Sequence, residues 1–163
     1  MMNAILRYAC PEDAEAVGRL HYTCWQETYR GLLPDGYLDK MSPERSAKIF
    51  RSTGCRNLIV AICGGEIIGE CGFGASRDAD LENCGEIQGI YVLKKYQRQG
   101  IGRRLMSLSL DRLKSYGYAK ACLWVLKSNE NAKEFYRSAG FSPDGAEKTV
   151  PFNEIRYITD IER

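Results

Sequence analysis

Apolar residues recur along this chain in two rhythms, one near every third or fourth position and one in short unbroken runs. The helical rhythm is clear after Pro11-Glu12-Asp13, where Ala14, Val17, Leu20, His21, Cys24 and Thr28 follow at helical spacing. Proline in the first turn and carboxylates at the positive end of the helix dipole mark that start. Ser42-Pro43-Glu44 begins another short helix. Gly100 opens a third, with Ile101, Leu105, Met106, Leu108, Leu113 and Tyr116 on one broad stripe. Arg103, Ser107, Asp111 and Lys114 fall on its opposite face, so this helix is amphipathic, and Gly117 ends it. In the last, Ala132, Phe135, Tyr136 and Ala139 are spaced i, i+3, i+4 and i+7; Ser128 or Asn129 caps it and Gly140 stops it.

The unbroken runs predict strands at 5–8, 58–62, 66–73, 86–93 and 121–126, with two more from Phe141 and from 155–161. Gly64-Gly65 joins the second and third strands as a hairpin, and residues 76–83 form a polar loop. The order β-α-α-β-β-β-α-β-α-β-β, with no repeat, linker or low-complexity segment, predicts a single α+β or mixed-sheet domain over 1–163.

Composition narrows the partners. A length of 163 residues suffices for one sizeable core. A formal charge of +2 argues against nucleic acid or a membrane surface as the main partner. No apolar run approaches the ~20 residues of a membrane span, and no secretory leader pattern is expected at the N-terminus. The 7 cysteines are scattered without CxxC spacing and there is 1 histidine, so no metal site is expected. Reduced thiols in a cytoplasmic protein are the expectation.

Candidate chemistry concentrates where the strand at 86–93 leads into Gln97-Arg98-Gln99-Gly100-Ile101-Gly102-Arg103. A glycine-rich strand-to-helix turn aims several backbone N–H groups at one spot, beside the positive end of the dipole. Lys94, Lys95, Arg98, Arg103 and Arg104 add positive potential there, which suits phosphate. The turn lacks the GK[ST] ending of a P-loop, and its place in the chain is not that of a dinucleotide-binding GxGxxG. Taken alone, it also fits a helix cap with spare glycines.

With its surroundings the turn resembles the GNAT N-acetyltransferase family, whose signature is [QR]-x-x-G-x-[GA]. The likeness spans nearly the whole chain. It takes in Ile90-Tyr91-Val92, the turn, and Asn129-x-x-Ala132-x-x-Phe135-Tyr136-x-x-x-Gly140-Phe141. The resemblance implies a mixed, splayed sheet of about seven strands flanked by about four helices. It implies acetyl-CoA as cosubstrate, with no metal. The backbone of Arg98, Gln99, Gly100, Ile101, Gly102 and Arg103 would hold the pyrophosphate, Ile90, Tyr91 and Val92 would pair with pantetheine, and Asn129 would bond the pantetheine arm. Asn129 also suits a helix N-cap, and the two roles are compatible.

Transfer of an acetyl group to an amine needs a proton acceptor for the amine and a donor for the leaving thiolate. Tyr136 stands where the family carries its thiolate-protonating tyrosine; it also suits a core aromatic. Glu86, eleven residues before Gln97, is spaced like the family's general-base glutamate, or is an exposed charge at a strand end. Trp124 occupies the position where members acting on ribosomal-protein N-termini carry a base glutamate, which weighs against that acceptor. Cys84 and Cys122 have no base spaced to activate them, and His21 reads as a core or surface residue of the first helix. Trp25, Glu27 and Tyr29 are candidates for an amine pocket, or for packing on the sheet.

The expected activity is therefore transfer of an acetyl group from acetyl-CoA to a primary amine of a small molecule, polyamine-like or other, or of a peptide. The competing expectations are a non-catalytic acyl-CoA-binding or sensor module on the same fold, and a protein acetyltransferase. The expected partner is the amine acceptor, with neither nucleic acid nor membrane, and a homodimer is allowed for.

Overall fold

The structure is a computed structural model, and it describes residues 3–161. Seven strands form one mixed sheet: β1 (Ile5–Tyr8), β2 (Leu58–Cys63), β3 (Glu66–Ala75), β4 (Cys84–Val92), β5 (Lys120–Leu126), β6 (Ser142–Lys148) and β7 (Glu154–Asp160), in the order β1-β2-β3-β4-β5-β7-β6. The α-helices are α1 (Ala14–Tyr29), α2 (Asp35–Asp39), α3 (Pro43–Thr53), α4 (Ile101–Ser115) and α5 (Glu130–Ser138). The helix beyond the four expected is α2. It is a single turn in which Tyr37 and Leu38 donate to the Pro34 carbonyl at 3.0 and 3.4 Å, anchored by fully buried Leu38. So short an element shows no periodicity.

Contacts divide the chain into two compact units. One runs up to Gly72 and includes Ile90–Leu105; the other holds Phe73–Gly89 and the chain from Met106 onward.

In the first unit, β1 pairs antiparallel with β2 from Ile5↔Ile62 to Tyr8↔Ile59, and β2 with β3 from Leu58↔Gly72 to Cys63↔Glu66. Ala14, Val17, Cys55, Leu58 and Val60 form a buried cluster, with Phe50 and Ile67 packed on it. Ser42 caps α3 by accepting from the Arg45 N–H at 3.2 Å, satisfying one of the unpaired donors of a helix start. Helices α1 and α3 touch at backbone distance: a Cβ on Gly18 would lie 2.5 Å from Ala47 N and 2.6 Å from Ala47 Cα.

In the second unit, β4 and β5 are parallel neighbours over Cys84–Glu86 and Lys120–Cys122. β5 and β7 pair antiparallel from Lys120↔Asp160 to Leu126↔Glu154. A Cβ on Gly85 would come 2.7 Å from Leu113 Cδ2, so α4 lies close on this part of the sheet. Arg156, nearly buried, donates to Asp144 Oδ2 at 2.7 Å, to both Asp80 oxygens at 2.8 and 2.7 Å, and to Asp78 Oδ2 at 3.2 Å. It thereby ties the 76–83 loop to β6 and β7.

The stripe of α4 is narrower than the sequence suggests. Ile101, Leu105, Met106 and Leu113 are buried, but Leu108 is 43% exposed and Tyr116 is 48% exposed. Leu108, seven residues after Ile101, falls at the edge of the stripe, and Tyr116 lies beyond the helix end. Ser109 takes the inward position instead, between Leu105 and Leu113 at four-residue steps.

Candidate active site

The 3₁₀ turn Lys94–Tyr96 follows β4, and Gln97 closes it in extended conformation, φ −70° and ψ 163°. The Gln97 side chain donates back to the Val92 carbonyl at 3.0 Å, fixing the exit of the strand. Arg98 and Gly100 are both left-handed, with φ of 59° and 83°. Left-handed residues within a turn point successive N–H groups toward a common concavity, an anion nest. Here the turn leads into α4, whose first N–H groups have no partner inside the helix. A Cβ on Gly100 would meet nothing within 4 Å. The glycine therefore serves the backbone conformation, at a face open to a ligand. Arg98 holds the same conformation without that freedom, a strain of about 1–3 kcal/mol that points to function.

The basic cluster is partly engaged. Arg104 donates to the Ala4 carbonyl at 3.0 Å, and Lys95 Nζ lies 5.0 Å above the Tyr96 ring. Arg98 and Arg103 keep their guanidinium groups without a hydrogen bond or ion pair among the described residues. These are donors suited to phosphate oxygens. A pyrophosphate fits this donor set.

Ile90, Tyr91 and Val92 form the last part of β4, beyond the ladder with β5, which among the described residues ends at Glu86↔Cys122. The Leu93 N–H donates to the Ile68 carbonyl at 3.0 Å, so the end of β4 is held from the β3 side.

In the second unit, Asn129 caps α5: its Oδ1 accepts from the Ala132 N–H at 3.2 Å. Its Nδ2 makes no hydrogen bond among the described residues and remains a donor. Tyr136 is largely buried, with its ring 5.5 Å from that of Phe135 and 6.3 Å from that of Phe141.

Glu86 is not an exposed strand-end charge; it is 1% exposed. Its Oε1 accepts from the Arg77 N–H at 3.2 Å, and its Oε2 accepts from Arg77 Nε at 3.0 Å and, more closely, from Nη2. Each carboxylate oxygen offers about two lone-pair positions, so among the described residues Oε2 is filled and Oε1 has one left. Asp78, Glu86 and Cys122 place ligand atoms within 4.8 Å of one another. Internal donors already serve the two carboxylates: Arg77 on Glu86, and Trp124 Nε1 at 2.9 Å with Arg156 on Asp78. Trp124 is further flanked by cations, Lys148 Nζ at 4.1 Å and Arg156 Cζ at 5.5 Å from its ring centre. The Cys122 thiol donates to Ser76 Oγ at 3.5 Å and is pushed up by the neighbouring Cys84 and by burial, away from a reactive thiolate.

The first unit carries a feature the sequence reading missed. His21 Nδ1 lies 2.6 Å from Glu70 Oε1, with Glu70 2% exposed. Around it stand the rings of Tyr91 at 5.2 Å, Phe50 at 5.4 Å and Trp25 at 5.8 Å. Trp25 in turn packs on Tyr29 at 4.5 Å and on Tyr37 at 6.3 Å. Glu27 faces elsewhere: its Oε1 accepts from the Lys94 N–H at 3.1 Å, bracing the segment before the turn. His21 and Glu70 are 49 residues apart and in different elements, so no local spacing joins them.

The model of the Acetyltransferase (GNAT) family matches residues 12–141. The chain belongs to this family. Among relatives, this GNAT protein is 32% identical over 148 residues to a Mycobacterium tuberculosis protein named as an N-acetyltransferase, covering 88% of this chain and 82% of that one. It is 29% identical over 140 residues to an N-acetyltransferase of Bacillus subtilis, covering 85% and 79%. The fold is also that of a Thermoplasma acidophilum N-acetyltransferase solved with coenzyme A, at a TM-score of 0.75 and 21% identity over 98% of this chain and 99% of that one. The GNAT chain is thus an acyltransferase by family. Among its described residues no helix is long and apolar enough to cross a membrane.

Proposed function

We propose that this chain transfers an acetyl group from acetyl-CoA to a primary amine of a small molecule or peptide, directly and within a ternary complex. The observation that carries the donor side is the turn of Gln97 to Arg103, with Arg98 and Gly100 left-handed ahead of α4 and two unengaged guanidiniums. The amides of Arg98, Gln99, Gly100, Ile101, Gly102 and Arg103 hold the pyrophosphate. Ile90, Tyr91 and Val92 offer their strand edge to the pantetheine amides, and Asn129 Nδ2 donates to the same arm. Tyr136 gives its proton to the departing thiolate. Glu86, with one lone-pair position open on Oε1, is the carboxylate the sequence nominates for the amine's proton.

The solved relative bound to coenzyme A supports the donor. For the acceptor, the support is the aromatic cluster of Trp25, Tyr29, Tyr37 and Tyr91 beside His21, which is itself paired with the buried Glu70 carboxylate, surroundings that favour a cation.

The deciding experiment measures free-thiol release from acetyl-CoA across polyamines, amino acids, aminoglycosides and peptides, with mass spectrometry of the acetylated product. At least one amine is expected to give stoichiometric thiol and N-acetyl product. Binding of acetyl-CoA with no turnover on any of them would leave a sensor module in its place. Tyr136→Phe is expected to lower kcat by about 10- to 100-fold with little change in the KM for acetyl-CoA.

A further inference from the structure

The His21–Glu70 pair stands out among the polar groups of the first unit, because neither its burial nor its surroundings are those of a surface ion pair. Glu70 sits in the middle of β3 at 2% exposure, and its Oε2 has no hydrogen-bond partner among the described residues. A buried carboxylate oxygen left unpaired costs free energy comparable to a lost charged hydrogen bond, so such an atom calls for a ligand. A second orphan lies in the same cluster. The indole N–H of Trp25 is buried and unpaired among the described residues, and Trp25 packs directly on His21. The cluster thus holds one unpaired acceptor and one unpaired donor among the described residues.

The imidazole completes the picture. An ionised carboxylate can only accept, so the 2.6 Å contact requires the hydrogen to sit on Nδ1. In the neutral ring this leaves the lone pair on Nε2. His21 is partly open, its side chain 23% exposed, and Nε2 makes no hydrogen bond among the described residues. A buried carboxylate that fixes the tautomer and supports the imidazolium is the arrangement by which acyl-transferring sites make a histidine a general base. The His21 ring lies edge-on to Tyr91, which belongs to the strand segment assigned to pantetheine.

We propose that His21 is the general base that takes the proton from the acceptor amine, and that Glu70 is the positioning residue that orients it. The acceptor is a primary amine arriving as its ammonium form at the partly open His21 ring. The inference rests on the acetyl-transfer reading and assigns immediate proton acceptance to His21, leaving Glu86 to hold the 76–83 loop through Arg77. The step balances. One ammonium proton passes to Nε2, the freed nitrogen pair forms the C–N bond to the acetyl carbon, and the C–S bond breaks. The thiolate takes its proton from Tyr136, a second amine proton leaves with the collapse to the amide, and solvent returns Tyr136 and His21 to their starting states.

The chain has 1 histidine, so 15N-histidine NMR of the untagged protein reads His21 alone. The wild-type spectrum is expected to show the proton on Nδ1, and Glu70→Gln is expected to move the tautomer population toward Nε2–H. An unchanged tautomer in Glu70→Gln would overturn the positioning role without any assay. With the best amine from the thiol-release panel, His21→Ala is expected to lower kcat by about 100- to 1,000-fold while acetyl-CoA binding stays within about twofold. Added imidazole is expected to restore at least tenfold of the loss. Glu70→Gln is expected to lower kcat about tenfold at unchanged KM for acetyl-CoA. His21→Ala turning over within twofold of wild type, or Glu86→Gln alone abolishing activity while His21→Ala retains it, would overturn the assignment. A wild-type protein that acetylates no amine would instead overturn the acetyl-transfer reading beneath it, an outcome visible before any variant is made.

Discussion

Arg77, whose side chain is 68% exposed, grips the buried carboxylate of Glu86 with its backbone N–H and its guanidinium. The asymmetry in burial predicts an asymmetry in substitution. Arg77→Ala leaves a carboxylate without its cation deep in the second unit, a change worth about 3–5 kcal/mol. Glu86→Gln leaves the arginine, which water can solvate, and should cost no more than about 1–2 kcal/mol. Urea unfolding of the two variants checks the ordering.

Gly18 lies inside α1, where replacing glycine by alanine ordinarily gains about 1 kcal/mol. Here the new Cβ would come 2.5 Å from the backbone N of Ala47, so α1 and α3 must separate. The clash outweighs the propensity gain, and Gly18→Ala should destabilise by about 1–3 kcal/mol. Because backbone atoms of Ala47 take part, a second change of Ala47→Gly should recover little. Thermal denaturation of the single and double variants measures both.

Arg156 serves three aspartates, and its partners differ in what removal would expose. Asp80 has a side chain 66% exposed, so Asp80→Ala should cost under about 1 kcal/mol. Arg156→Met leaves Asp78 and Asp144, with side chains 21% and 17% exposed, without their cation and should cost about 3–5 kcal/mol. The measurement is the urea midpoint at constant slope.

Acid should act through Asp13. Paired hydrogen bonds from Arg7 at 2.7 and 2.9 Å, and one from the Cys10 N–H, hold the Asp13 carboxyl well below the usual carboxylate range despite burial. A folded-state value below the unfolded one means a stabilising contribution that is full above about pH 4 and is lost as pH falls through the folded value. Asp13→Asn should therefore flatten the fall in stability between about pH 4 and pH 2 relative to wild type, as read by urea midpoints across that range.

At the turn, Gly100→Val asks a β-branched residue to adopt φ 83° where no neighbour obstructs it. The cost falls on the backbone conformation, and with it the aim of the phosphate-binding N–H groups. The KM for acetyl-CoA should rise about tenfold or more, with kcat changed less, in steady-state thiol-release assays.

The turn after β4 and the cap of α5 were legible in the sequence because both are local. Gln97, Arg98 and Gly100 lie within four consecutive residues, and Asn129 caps the helix that carries Tyr136, so local spacing sets the geometry of each group by itself. Most strands and the main helices were legible for the same reason, through runs of β-branched residues and a helical stripe. Four features were not. The single turn α2 rests on one buried leucine and has no period. The outward turn of Leu108 depends on how far the stripe of α4 extends around the helix. The pairing of His21 with Glu70, and of Glu86 with Arg77, is set by strand register and by the course of the 76–83 loop, which leave no mark in local spacing.

The 2 tryptophans of the chain fall one in each compact unit, Trp25 among the rings around His21 and Trp124 between Lys148 and Arg156. The molecule therefore carries a separate optical reporter for each half. In a Trp25→Phe chain all indole emission comes from beside the Asp78–Arg156 network; in a Trp124→Phe chain it comes from the cage around the imidazole. An amine that enters that cage announces itself by fluorescence in the second chain and leaves the first one dark to it.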